Sequence, residues 1–113
     1  MAKHERSVLP GTVDLVILRV LAEGPMHGFG ISRTLREHSD GVVELDDAAL
    51  YQALHRLENR KLLEGEWGTS ENNRRAKFYR LTSRGREQLE KEVSEWRRYA
   101  AAIARILETG ARP

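Results

Sequence analysis

The chain has no cysteine, which excludes disulfides and thiolate metal sites and by itself says nothing about compartment. Long apolar runs are missing as well. No stretch approaches the roughly 20 residues that span a bilayer, and the start, MAKHERS, lacks the apolar core of a signal peptide, so a cytoplasmic protein with no membrane partner is expected. The four histidines form no cluster, and the spacings of His27, His38 and His55 match no helical pair of zinc ligands, so neither a metal nor a cofactor is expected. Glu58 and Glu64 are the nearest thing to paired carboxylates, and nothing around them suggests the burial that acid–base chemistry requires, which argues against an enzyme. A large net charge is also lacking. The formal value is +2, so a case for a polyanionic partner rests on where the charges sit.

What is present describes one soluble domain. With 113 residues, 40% apolar and 32% charged, the chain can bury a single core and is too apolar to be disordered. Leu9, Pro10 and Gly11 lead to Thr12, a suitable N-cap, after which Val13, Val16, Ile17, Val20 and Leu21 fall at helical spacing. Gly24-Pro25 stops this first helix. Phe29, Ile31 and Leu35 predict a second helix from His27 to about Ser39, with His27 in a capping or packing role. Ser39-Asp40-Gly41 breaks the chain, Val42 to Leu45 reads as a short extended piece, and Asp46 or Asp47 caps a third helix ending near Arg60-Lys61.

The third helix and the two strands after it carry the chemistry. Leu50, Leu54 and Leu57 share one side of the helix, leaving Tyr51, Gln52, His55 and Arg56 on the other. The strands are Leu62 through Trp67 and Ala76 to Leu81, joined by a turn around Asn72-Asn73, with Tyr79 and Leu81 facing inward. From Asn72 to Arg86 there are Arg74, Arg75, Lys77, Arg80, Arg84 and Arg86 and no acidic residue, although the two signs nearly balance over the whole chain. A phosphate polymer explains such segregation, because each neutralised phosphate releases a condensed counterion. Three helices and a hairpin in this order make a winged helix-turn-helix, in which the third helix enters the major groove. Tyr51, Gln52, His55, Arg56, Arg74, Arg75 and Lys77 are therefore the candidate DNA contacts.

Thr82 or Ser83 caps a final helix reaching about Thr109, where Gly110 and Pro113 mark its end. Leu89, Val93, Trp96, Ala100, Ile103 and Leu107 alternate spacings of four and three, the seam of a helix that packs along another helix. About 27 residues of helix span ~40 Å, more than a small domain can cover, so a second copy of the chain is the natural partner. Trp96 lies between the smaller Val93 and Ala100, where two rings facing each other across a dimer axis would wall a site for a flat aromatic effector or simply fill the dimer core. The expected fold is thus mainly α with a small β-hairpin: a winged helix over residues 1–81, a dimerisation helix over 82–109 and a tail over 110–113.

Three segments, GTVDLVILRVLAEGPMHGFGI, LYQALHRLENRKLL and WGTSENNRRAKFYRLTSRGREQL, resemble the PadR family of transcriptional regulators, and the similarity runs from Leu9 to Leu107. The last segment is particularly like short PadR-like proteins of acidobacteria. The resemblance implies a homodimer joined by the C-terminal helices that binds a pseudo-palindromic double-stranded operator, usually as a repressor and often under control of a small aromatic compound. Two positions depart from the family pattern. Asp47-Ala48-Ala49 stands where a small residue and glycine commonly precede the Leu-Tyr pair, and Gln52 stands where proline commonly follows it. Gln52 is able to pair with an adenine edge. The alternative from a different class is a winged-helix module that holds another protein without reading DNA.

Overall fold

The computed structural model describes residues 11–110; Leu9, Pro10 and Pro113, named above, lie outside them. The order of elements is α1 (Val13–Leu21), β1 (Met26–His27), α2 (Gly28–His38), α3 (Asp47–Asn59), β2 (Leu63–Thr69), β3 (Arg75–Leu81) and α4 (Ser83–Gly110). The four helices and the hairpin expected from periodicity are all present. Thr12 stands at the N-cap of α1. His27 caps α2, its Nδ1 accepting from the Gly30 N–H at 3.0 Å. Asp46 rather than Asp47 caps α3, its carboxylate accepting from the Ala49 N–H at 2.8 Å. The Thr82 hydroxyl accepts from the Gly85 N–H at 3.0 Å and starts α4.

Two local expectations are corrected. Val42 to Leu45, expected as a short extended piece, begins with a bend: Ser39 donates to the Leu35 carbonyl and accepts from the Val43 N–H, and Asp40 and Gly41 take positive φ, before Leu45 enters the core. A third strand lies at Met26–His27, so that His27, expected to open the second helix, ends β1 and α2 starts at Gly28. The strand pairs antiparallel with β3 (Met26 opposite Tyr79, His27 opposite Phe78), giving a sheet of order β1-β3-β2. A strand of two residues has no periodicity to read. It forms because the outer edge of β3 would otherwise keep its N–H and C=O groups unpaired.

One core serves the whole domain. Ile17, Leu18 and Leu21 of α1, Ile31 of α2, and Leu50, Leu54 and Leu57 of α3 meet Leu63 of β2, Tyr79 and Leu81 of β3 and Leu89 of α4. Leu50, Leu54 and Leu57 are essentially inaccessible, as their shared helical face predicts. Each such leucine contributes about 1.5–3 kcal/mol relative to an exposed one. Gly85 lets α4 dock here, since a Cβ at that position would lie 2.2 Å from the Leu62 carbonyl oxygen.

The final helix divides in two. Leu89 is in the core and Val93 packs against it, whereas Tyr99, Ile106 and Leu107 are more than 60% exposed and Ile103 is 36% exposed. Of the residues expected in the seam, Leu89 is buried in its own domain and Val93 is half-buried against it at the edge of a groove. The beginning of α4 is covered by α1 and the sheet, and its 28 residues run on past both, giving a molecule 59 Å long and 20 Å thin. No described helix is long and apolar enough to cross a membrane.

Candidate nucleic-acid interface

The hairpin register decides what the wing presents. Leu63, Gly65, Trp67 and Thr69 of β2 lie opposite Leu81, Tyr79, Lys77 and Arg75 of β3, and successive residues alternate between the two faces of the sheet. One face therefore changes character along its length. Near the domain it is core, with Leu63, Leu81 and Tyr79 buried, and toward the tip it opens as Trp67, Lys77 and Arg75. The turn is held by the Ser70 N–H donating to the Arg74 carbonyl at 2.8 Å and the Asn73 N–H donating to the Ser70 carbonyl at 2.9 Å. Asn73 has φ +61°, a conformation asparagine accepts more readily than most residues.

Ion pairs sort the cations that the sequence grouped together. Lys77 reaches Glu58 of α3 at 3.2 Å, crossing Gly65, where a Cβ would lie 2.3 Å from the lysine chain. Arg80 donates two hydrogen bonds to Glu64 on the opposite face, and that contact raises its pKa. Arg74 and Arg75 have no carboxylate partner among the described residues, and the Arg75 guanidinium instead stacks over Trp67, 4.8 Å from its ring centroid. Burial pushes the Tyr79 hydroxyl pKa up; Lys77 opposes that rise, while Glu58 and Tyr51 add to it.

On α3, Tyr51, Gln52, His55 and Arg56 are all exposed, on the side away from the three leucines. Tyr51 turns toward α2, its hydroxyl so close that a Cβ at Gly28 would lie 2.2 Å from it. Arg56 is paired with Asp14 of α1, and Arg60, one turn later, lies 3.7 Å from the other oxygen of the same carboxylate. One acidic residue thus fastens two arginines of α3 to the start of α1. This link spans 42 residues and has no local signature.

Trp96 does not stand clear of the domain. It borders a groove of about 540 Å³ with Val93 and Arg97 of α4, Val16 and Arg19 of α1 and His38 of α2. Among large exposed apolar side chains, Tyr99 and Ile106 were missed by the heptad count, which chose Ala100 and Leu107. Their signal is a second run of three and four, Trp96-Tyr99-Ile103-Ile106, on a neighbouring stripe of the same helix. Phe29 and Trp67 were also passed over as site residues.

Helices α2 and α3, a wing folded back beside α3 and a long trailing helix define a winged-helix protein. A model of the transcriptional regulator PadR-like family matches residues 17–91, and the chain belongs to that family. The structure is similar to a transcriptional regulator from Clostridium thermocellum, with a TM-score of 0.76 and 30% identity covering 84% of this chain and 92% of that one. It is also similar to a PadR family transcription regulator from Clostridium difficile R20291, with a TM-score of 0.75 and 29% identity covering 86% and 99%. An uncharacterized protein of Lysinibacillus sphaericus is 29% identical over 101 residues, 89% of this chain and 93% of its own.

Proposed function

We propose that this PadR-family regulator binds duplex DNA as a homodimer, represses transcription from a pseudo-palindromic operator, and is released by a small flat aromatic compound. The observation that carries the reading is that Gln52 and His55 are exposed on α3 while Arg74 and Arg75 are exposed on the wing, in a groove whose described lining has no carboxylate. With α3 in the major groove, Gln52 and His55 reach base edges while Arg74 and Arg75 meet the flanking backbone or minor groove. Lys77 and Arg56 approach the same strand with part of their charge already answered by Glu58 and Asp14. Residues 1–81 then supply the reading unit. Within 82–109 it is the half of α4 beyond Val93, with Trp96, Ala100, Ile103 and Leu107 joined by Tyr99 and Ile106, that pairs with a second copy. Half-site centres would be separated by about one DNA turn, ~34 Å, or a multiple of it.

Binding titrations at several salt concentrations on selected and random duplexes test the reading. Affinity should fall steeply with salt. Arg75→Ala should weaken all sequences alike and flatten the salt slope by about one unit, whereas Gln52→Ala should change preference at one base position. Equal losses on specific and random duplex for Gln52→Ala would remove its reading role, and salt-independent behaviour would favour a protein-binding module. The effector is assigned to the groove beside Trp96. There, flat aromatic compounds should quench tryptophan fluorescence in the wild type and much less in Trp96→Leu, with Trp67 as the internal control. A ligand there can alter DNA binding only by favouring one dimer geometry over another.

A further inference from the structure

A second groove, of about 730 Å³, separates the wing from the amino-terminal ends of α2 and α3. Its size is within the roughly 300–1,000 Å³ of pockets that hold small organic groups. Three rings stand open in it: Phe29 is 63% exposed, Tyr51 48% and Trp67 57%. None belongs to the core, and none lies on the stripe of α4 that a second copy would cover. Two of them carry a guanidinium: Arg33 lies 5.6 Å from the Phe29 centroid, outside the groove lining and already paired with Glu71 at 4.0 Å, and Arg75, which does line the groove, lies 4.8 Å from that of Trp67. The Tyr51 ring is seated against the backbone of Gly28, which fixes it in the groove wall.

Phosphate neutralisation requires cations and has no use for rings. Rings beside cations, with no carboxylate among the described lining residues, match a nucleic-acid strand whose bases are free to unstack: the base lies on the ring and its phosphate on the arginine. Geometry narrows this to one strand. If α3 lies in a major groove and the wing meets the adjoining minor groove, as proposed above, the gap between them is where the backbone that separates the two grooves would pass. We propose that this groove binds single-stranded DNA in its own right, with Trp67 as the main stacking platform, Phe29 and Tyr51 as flanking surfaces, and Arg74 and Arg75 on the phosphates. This deepens the DNA-binding reading and rests on it. Trp67 leads because it is more than half exposed in the groove and an arginine with no carboxylate partner among the described residues, Arg75, lies 4.8 Å from its ring centroid.

The test compares two labelled strands of about twelve nucleotides, one of thymidines and one of abasic sugar-phosphate, by fluorescence anisotropy with the full chain at matched salt. The two carry equal charge and differ only in their bases. The thymidine strand should bind on the order of tenfold tighter or more. Trp67→Ala should abolish most of that ratio and Trp67→Phe restore part of it, while Arg74→Ala should weaken both strands alike. Circular dichroism confirms that each variant is folded. Equal affinity for the two strands in the wild type, or a ratio that survives Trp67→Ala, overturns the proposal. Salt-dependent duplex binding with no preference between the strands would remove this inference and leave the duplex reading intact. Preference for thymidines without duplex binding would do the reverse.

Discussion

Apart from Val42, which stands alone, the large apolar side chains exposed among the described residues gather in two places, and the contrast between them separates two kinds of recognition. Along the outer half of α4, Trp96, Tyr99, Ile103, Ile106 and Leu107 follow one another at helical spacing, aliphatic and aromatic mixed, on an element that has run past its own domain. In the wing groove, Phe29, Tyr51 and Trp67 come from three different elements, all are aromatic, and two are stacked with arginines. A continuous aliphatic stripe fits another helix, which can interdigitate with it and exclude water. Scattered rings with cations and no aliphatic neighbour fit flat, charged partners that enter between them. Exposure alone does not distinguish the two patches; composition and the element that carries them do.

The largest effect should come from breaking the first patch. If α4 joins two copies as proposed, Ile103→Glu with Ile106→Glu would bury carboxylates in the helix seam at a cost of several kcal/mol, and the dimer should dissociate at micromolar concentration by light scattering with the helical signal kept. A dimer that persists would place its interface elsewhere. This pair is a cleaner test than deleting everything after Glu87, which would also strip Leu89 and Val93 from the core. The inner half of α4 is probed by Gly85→Ala. The added carbon meets the backbone oxygen of Leu62 and not a yielding side chain, so stability should fall by about 2 kcal/mol, seen as a lower urea midpoint. An unchanged midpoint would mean that the junction between wing and α4 is softer than it looks.

A smaller change sharpens the second patch. Asp14→Asn releases Arg56 and Arg60, and because all three side chains are partly exposed the stability cost should stay within about 1 kcal/mol. Random duplex should then bind more tightly, with a salt slope steeper by about one unit. An unaltered slope would show that these two arginines do not face DNA. The smallest effect concerns Tyr79. Its folded pKa is raised above 10.0, chiefly by burial, so the unfolded chain loses the proton first as the pH rises. Stability should therefore be fully present below that value, decline as pH climbs through the interval up to the folded pKa, and level off above it. Tyr79→Phe should remove that part of the alkaline decline in urea titrations; a decline identical in both proteins would assign it to other groups.

Much of this architecture was legible one element at a time. The leucines at 50, 54 and 57, an aspartate cap at 46 or 47, the Gly24-Pro25 stop and the Asn72-Asn73 turn are signals confined to a few neighbouring residues. What escaped depended on distance along the chain. Strand β1 exists only because β3 arrives beside it about fifty residues later. The candidate interface was read as a block of like charge, yet Lys77 belongs to a pair with Glu58 and Arg80 to a pair with Glu64, while Arg74 and Arg75 have no carboxylate partner among the described residues. Trp67 read as an ordinary strand residue until the register put it on the same face as Arg75 and Lys77.

Residue order was enough to set the helices, the hairpin, the buried side of α3 and the places where cations are concentrated, because each depends on spacing within one or two turns or strands. The packed chain was needed to settle which cations are answered and which rings are gathered into one groove. It also settled where α4 stops serving its own core and begins to offer a surface. Charges, rings and helix faces acquire those roles from whatever is packed within a few ångströms of them. In this chain those neighbours come from α1, α2 and α3 as well as from the wing, far apart along the backbone.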